Sequence, residues 1–147
     1  MQWQGMVTFV SDGDTLFVRP ASGGQPVKIR IDGMDAPEIC QAHGPASRQA
    51  LQVRVLHQTV SVDGRRRDSY GRVLARISWQ QADVGDWMVR QGHAWSYRYR
   101  RDSGPYAAQE AQARAGQRGL FADARAVEPR EFRKRHGPCH ERSTRSR

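Results

Sequence analysis

Two short acidic stretches carry the residue types that could do chemistry. Residues 11–18 read SDGDTLFV and set Asp12 and Asp14 around a glycine; residues 31–38 read IDGMDAPE and set Asp35 and Glu38 three apart, across a proline. A carboxylate beside a Gly-containing turn is free to point inward with no helix around it. Hard cations such as Ca²⁺ draw their ligands from carboxylates, backbone carbonyls and water, which makes Asp14 and Asp35 candidate ligands. No set of three cysteines or histidines lies near these acids in the sequence, which argues against zinc there. Pro37 fixes its own φ and biases Ala36 toward extended backbone, so Asp35 and Glu38 are held in a defined relation. One acid can bind a metal while the other binds or deprotonates a water. Taken singly, each stretch also has a plainer explanation, as a common Asp-Gly turn or as two solvated acids.

Arg30 and Arg72 complete the set. Arg30 lies on the segment that feeds the second acidic stretch, and Arg72 follows Tyr70-Gly71. Hydrolysis of a phosphodiester builds negative charge on the phosphoryl group, which a metal ion and arginine forks stabilise. Arginine is abundant in this chain, so composition alone does not single out these two.

The elements that must position these groups follow from pattern. Residues 6–10 and 15–19 read as strands joined at the Asp-Gly turn, and residues 27–31 alternate apolar and basic as a third strand, with Lys28 and Arg30 on one face. The spacing predicts a helix over 46–57 with Ala46, Ala50, Val53 and His57 on one stripe, widened by Leu51 and Val55. Residues 59–63 and 72–79 read as two further strands around a polar loop, 64–71. Short helices are predicted over 84–92 and 106–117, and from Arg130 an Arg-rich, mobile tail. Five short strands interrupted by helices fit an α+β protein built on a five-stranded oligonucleotide-binding (OB-fold) barrel.

Length supports one domain with a single core, over 147 residues. No apolar run reaches membrane-spanning length, and the N-terminus lacks the charged and apolar regions of a signal peptide. The net charge of +9 is unevenly placed: residues 1–38 hold five acids against three bases, and residues 39–147 ten acids against twenty-one bases. Lys28 and Lys134 are the only lysines, so the positive charge is almost all arginine, whose fork suits phosphate oxygens. Nucleic acid is the partner such a surface fits best. Cys40 and Cys139 admit three readings, in this order. They form a disulfide, which in the chain-entropy model adds about 4–5 kcal/mol and implies an oxidising compartment; they are free thiols; or, with His43 and His136, they hold zinc.

The motifs VSDGDTLFV, VKIRIDGMDAPE, GPASRQAL, DSYGRVLARI and MVRQGHAW, in this order, resemble the staphylococcal nuclease (thermonuclease) family over residues 6–121. The resemblance implies a five-stranded OB-fold barrel with three α-helices in residues 1–129; the basic tail over 130–147, like the Cys40 and Cys139 pair, lies outside the prototype pattern. It implies a Ca²⁺-dependent phosphodiesterase acting on DNA and RNA with little sequence preference, favouring single-stranded or flexible substrate and leaving 3′-phosphate ends. Asp14, Asp35 and the Ala36 carbonyl would hold the metal, with Asp12 in support. Glu38 would hold or deprotonate the attacking water, and Arg30 and Arg72 would bind the scissile phosphate. Tyr70 would approach a nucleotide phosphate, and Tyr97 and Tyr99 would stack a base, whereas Trp95 is assigned to the core. The family prototype has threonine in place of Ala36, where only the backbone carbonyl is wanted, and lysine in place of Ser69, so one phosphate contact would be either missing or supplied instead by Arg65, Arg66 and Arg67. A monomer in a secreted or periplasmic setting is expected. The rival reading is a catalytically weak nucleic-acid-binding module on the same fold.

Overall fold

Alternation along the first strand sets the phase of the barrel. In β1 (Gln2–Asp12) Gly5 and Val7 face inward, a register shift at Thr8 acts as a bulge, and the alternation resumes with Val10 inward. Its antiparallel neighbours are β2 (Thr15–Pro20) on one side and β5 (Thr59–Arg67) on the other. β3 (Val27–Ile31) pairs antiparallel with β2, β6 (Val73–Trp79) pairs antiparallel with β5, and a parallel pairing of β3 with β6 closes the five strands into a barrel. The structure, a computed structural model, describes residues 1–139.

Closure places Leu16, Val18, Ile29, Ile31, Val62 and Ile77 in one interior, all fully buried. α1 (Gly44–Val55) caps it with Leu51 and Val55, and α2 (Val84–Arg90) with Met88 and Val89. α2 starts at Asp83, the second residue of the short strand β7 (Ala82–Asp83), whose carboxylate accepts from the Gly85 amide at 2.9 Å. β4 (Met34–Asp35) and β8 (Trp95–Ser96) form a separate two-stranded ladder beside the barrel mouth. α3 (Ala107–Ala115) follows, with Trp95, Ala113, Leu120 and Phe121 as a second, smaller cluster.

The five-stranded barrel is as expected, and four expectations change in detail. The helix count rises from three to four, because α4 (Pro129–His136) occupies the start of the Arg-rich segment predicted to be mobile; residues 140–147 lie outside the described ones. Residues 64–67, expected as loop, continue β5, since Arg66 and Arg67 pair with Leu74 and Val73; ladder bonds override the polar side chains there. α1 begins at Gly44 because Pro45 is tolerated in a first turn, two residues before the expected start. Its buried stripe runs through Gly44, Ser47, Leu51 and Val55, not through Ala46, Val53 and His57: Val53 is 80% exposed and His57 lies beyond the helix end. The polar Ser47 hides the true phase, and its hydroxyl donates to the His93 carbonyl at 2.6 Å.

Candidate active site

Register brings the two acidic stretches together. Thr15 on β2 faces Arg30 on β3, so Asp14 and the end of β3 are neighbours, and the Ile31 amide donates to the Asp14 carbonyl at 2.8 Å. Gly33 then turns the chain at φ +88°, a conformation that favours glycine, and delivers β4 with Asp35 beside Asp14. Gly13 answers a different constraint. A Cβ there would stand 2.1 Å from the Ser47 hydroxyl and 2.7 Å from the Ala36 Cβ, so the turn, α1 and Ala36 meet where only glycine fits.

Arg30 lies between the two carboxylates. Its Nη2 is 3.7 Å from Asp14 Oδ2 and 3.5 Å from Asp35 Oδ1, while its Nη1 donates to the carbonyls of Ile31 and Met34 at 2.6 and 2.8 Å. The guanidinium thus clamps the turn and offsets part of the acids' charge. Asp14 also accepts from the Ala36 amide at 2.9 Å and the Thr15 hydroxyl at 3.1 Å, and Asp12 accepts from the Asp14 amide at 3.1 Å. Asp14 and Asp35 are both buried.

The electrostatics are unbalanced. Burial and then the Asp14 carboxylate push Asp35 up to about 6, with Arg30 pulling the other way. Burial, followed by the same neighbour, pushes Asp12 well above the ordinary aspartate value. For Asp14 burial works upward too, but Arg30 and the hydrogen bonds with Asp12, Ala36 and Thr15 outweigh it and keep the group below its ordinary value. Three acids share one guanidinium in a desolvated place, which is an arrangement that a bound cation relieves. Among the described residues no three His, Cys, Asp or Glu side chains converge as a ready-made metal cage. Two carboxylates and the Ala36 carbonyl are all oxygen donors, and they fit a hard divalent cation that keeps several water ligands.

Glu38 follows in a loop whose backbone is held locally. Its amide donates to Gln41 Oε1 and its carbonyl accepts from the Gln41 amide, both at 2.9 Å, and Gly44 packs so closely that a Cβ there would lie 2.0 Å from that carbonyl. The Glu38 carboxylate accepts from Arg133 on α4 at 2.5 Å. Arg72, one residue before β6, is oriented by Asp68: one oxygen accepts from the Tyr70 and Arg72 amides at 2.9 and 3.0 Å, the other from Arg72 Nε at 2.8 Å. That leaves the terminal N–H groups of Arg72 to an incoming acceptor.

The structure therefore brings Asp12, Asp14, Arg30, Asp35 and Ala36 into direct contact and sets Glu38 on the adjoining loop. Arg72 and Tyr70 lie on the β5–β6 turn, where Arg72 stands two residues before the register partner of Arg30 and Tyr70 is 82% exposed. Tyr97 is tied in by its amide, which donates to the Gly33 carbonyl at 2.9 Å, whereas Tyr99 belongs to a separate turn with Asp102. Trp95 is buried against Phe121. Sequence reasoning gave no role to Asp68 or Arg133. Asp68 stood inside the DSYGR motif. Arg133 was traceable only through the cysteines, because Cys40 and Cys139 are joined by a disulfide that brings α4 to the Glu38 loop. With no free cysteine among the described residues, the thiol and zinc readings fall away. Two clefts, of about 160 and 330 Å³, lie beside Trp95 and beneath α4; neither includes the acids, so donor chemistry rather than enclosed volume marks this site.

A family model described as "Staphylococcal nuclease homologue" matches residues 28–123. A protein of Haemophilus influenzae named "Uncharacterized endonuclease" is 34% identical over 128 residues, covering 87% of this chain and 71% of that protein. The Escherichia coli "Protein ParB" is 38% identical over 89% of this chain and 79% of its own length. A Shigella flexneri protein named "Micrococcal nuclease" is 34% identical over 90% of this chain and 81% of its own length.

Proposed function

Because the chain belongs to the staphylococcal nuclease family, we propose that it is a Ca²⁺-dependent nuclease that hydrolyses DNA and RNA phosphodiesters. The observation that carries this reading is the buried Asp14–Arg30–Asp35 cluster with Glu38 on the adjoining loop. Asp14, Asp35 and the Ala36 carbonyl would hold the cation, which when bound supplies positive charge to the scissile phosphate. Arg30 presents Nη2 and Arg72 its terminal N–H groups to the nonbridging oxygens, where charge grows during attack. Glu38 orients a water and takes its proton as the oxygen bonds to phosphorus. The bond to the 5′ oxygen breaks, leaving a 3′-phosphate and a 5′-hydroxyl that takes its proton from solvent. The exposed rings of Tyr70 and Tyr97 suit sugar, phosphate and base faces without reading base edges, so sequence preference is weak and unpaired strands are cut faster. The disulfide supports work outside the reducing cytosol, in a periplasmic or secreted setting.

The test is a gel assay on heat-denatured DNA and on RNA, with Ca²⁺ or with a chelator. Cleavage is expected only with the ion. Glu38→Gln and Arg72→Ala should each lower kcat by at least about 100-fold, the scale of a lost general base or transition-state donor. Cleavage that ignores the chelator, or that survives both substitutions, removes the assignment. Binding without cleavage by the unaltered protein would leave a nucleic-acid-binding module in its place.

A further inference from the structure

Glu38 is held from two directions of different kinds. Its backbone is fixed by Gln41 and the start of α1, close at hand. Its carboxylate, among the described residues, is held by Arg133, 95 positions along the chain. Arg133 belongs to a helix with little apolar hold on the molecule. α4 is eight residues long, its one buried residue is Pro129, and the 330 Å³ cleft opens beneath it against Phe132. Eight residues do not sustain a helix in water. What fixes α4 is the Cys40–Cys139 disulfide at its far end, helped by the Gln41 side chain on the Val127 carbonyl at 2.5 Å and Arg130 on the Arg98 carbonyl at 2.8 Å.

We propose that α4 is a disulfide-held arm of the active site and that Arg133 is a positioning residue, which fixes the Glu38 carboxylate through Oε2 so that Oε1 faces the attacking water. This rests on the nuclease reading above. A carboxylate free to turn about three side-chain bonds points usefully only part of the time, and a misplacement of about 1 Å at a reacting group costs up to 100-fold in rate. The ion pair is charge-assisted and short, which suits orientation. The staple and the arginine act through one carboxylate, so their effects are not independent.

The experiment measures kcat and KM on single-stranded DNA with Ca²⁺ for wild type, Arg133→Ala, Arg133→Lys, the Cys40→Ser/Cys139→Ser pair, and the triple variant. Amide exchange of α4 is followed in each. Arg133→Ala should lower kcat about 10–100-fold with KM within about threefold, and Arg133→Lys should recover part of the loss. The cysteine pair should speed α4 exchange at least tenfold, lower kcat by a similar factor, and make Arg133→Ala silent on top of it. Arg135→Ala removes the same charge from the same helix, but among the described residues Arg135 pairs only with Glu131, so the variant should behave as wild type. The barrel core contains no α4 residue, so these variants keep the fold. A faster Arg133→Ala enzyme would make the arm a restraint on the base. A raised KM at constant kcat would make Arg133 a substrate contact. Either outcome, or additive losses in the triple variant, overturns the proposal. Unchanged α4 exchange in the cysteine pair overturns the arm even if the protein cuts nothing, an outcome that by itself sinks the nuclease reading.

Discussion

At the scale of single residues, the site depends on close approach as much as on charge. Gly13 was legible as a turn residue, but its φ is not in the glycine-favouring region; it is needed because Ser47 and Ala36 leave no room for a Cβ. Gly13→Ala should therefore destabilise by about 1–3 kcal/mol through overpacking, lowering Tm by roughly 2–12 °C in a domain of this size. It should also depress activity, because Ala36, beside the acidic cluster, is one of the two partners displaced. A melt and a rate measured on the same preparation check this; an unchanged Tm would mean the turn yields at no cost. Asp14, Asp35 and Glu38 were readable because each lies within two residues of a glycine or proline in a short motif. Arg30's clamp on Ile31 and Met34 was not readable, since backbone carbonyls leave no trace in side-chain identity.

At the scale of elements, the barrel strands were legible wherever apolar alternation was clean, as in Val27–Ile31. They were illegible where charge masks pairing, as in the last turns of β5. α4 was hidden for the same reason, its sequence being almost wholly polar. A junction between elements also gives a pH dependence. His43, preceding α1, and His93, following α2, stack with Nε2 and Nδ1 3.2 Å apart. Burial, and then the neighbouring His43, pull His93 down to about 4 from an ordinary 6.5. Between those values the unfolded chain binds more protons at this residue than the folded one. Its contribution to stability is therefore present above pH 6.5 and is lost as pH falls toward 4. Relative to His93→Asn, in which the carboxylate titrations are shared, wild type should lose Tm progressively across that window. A Tm difference that stays constant from pH 7 to 4 would contradict the buried neutral pair.

At the scale of the whole molecule, acids gather in residues 1–38 and arginines over the remainder. No helix among the described residues is long and apolar enough to cross a membrane. Binding driven by arginine on phosphate releases counterions, so log affinity for single-stranded DNA should fall linearly with log salt, by roughly 0.7 per phosphate engaged. Fluorescence anisotropy with a labelled oligonucleotide between 50 and 200 mM salt reads the slope, and a flat line would dissociate the charge map from substrate capture. This charge map was fully legible from the sequence; its focus on one buried acidic cluster emerged only when β2–β3 register placed Asp14 against Arg30 and Asp35.

The Cys40–Cys139 bond makes the polypeptide between those residues a closed ring with β1 to β4 attached as a branch. A protease that nicks the exposed Arg65–Arg66–Arg67 run cuts the ring but frees no piece, because one cysteine lies on each side of the break. Brief trypsin treatment should thus yield one band of full mass without reductant and two smaller bands with it. The nicked barrel should stay assembled through its remaining strand pairs. Such a closure converts a first cleavage from loss of the molecule into a scar.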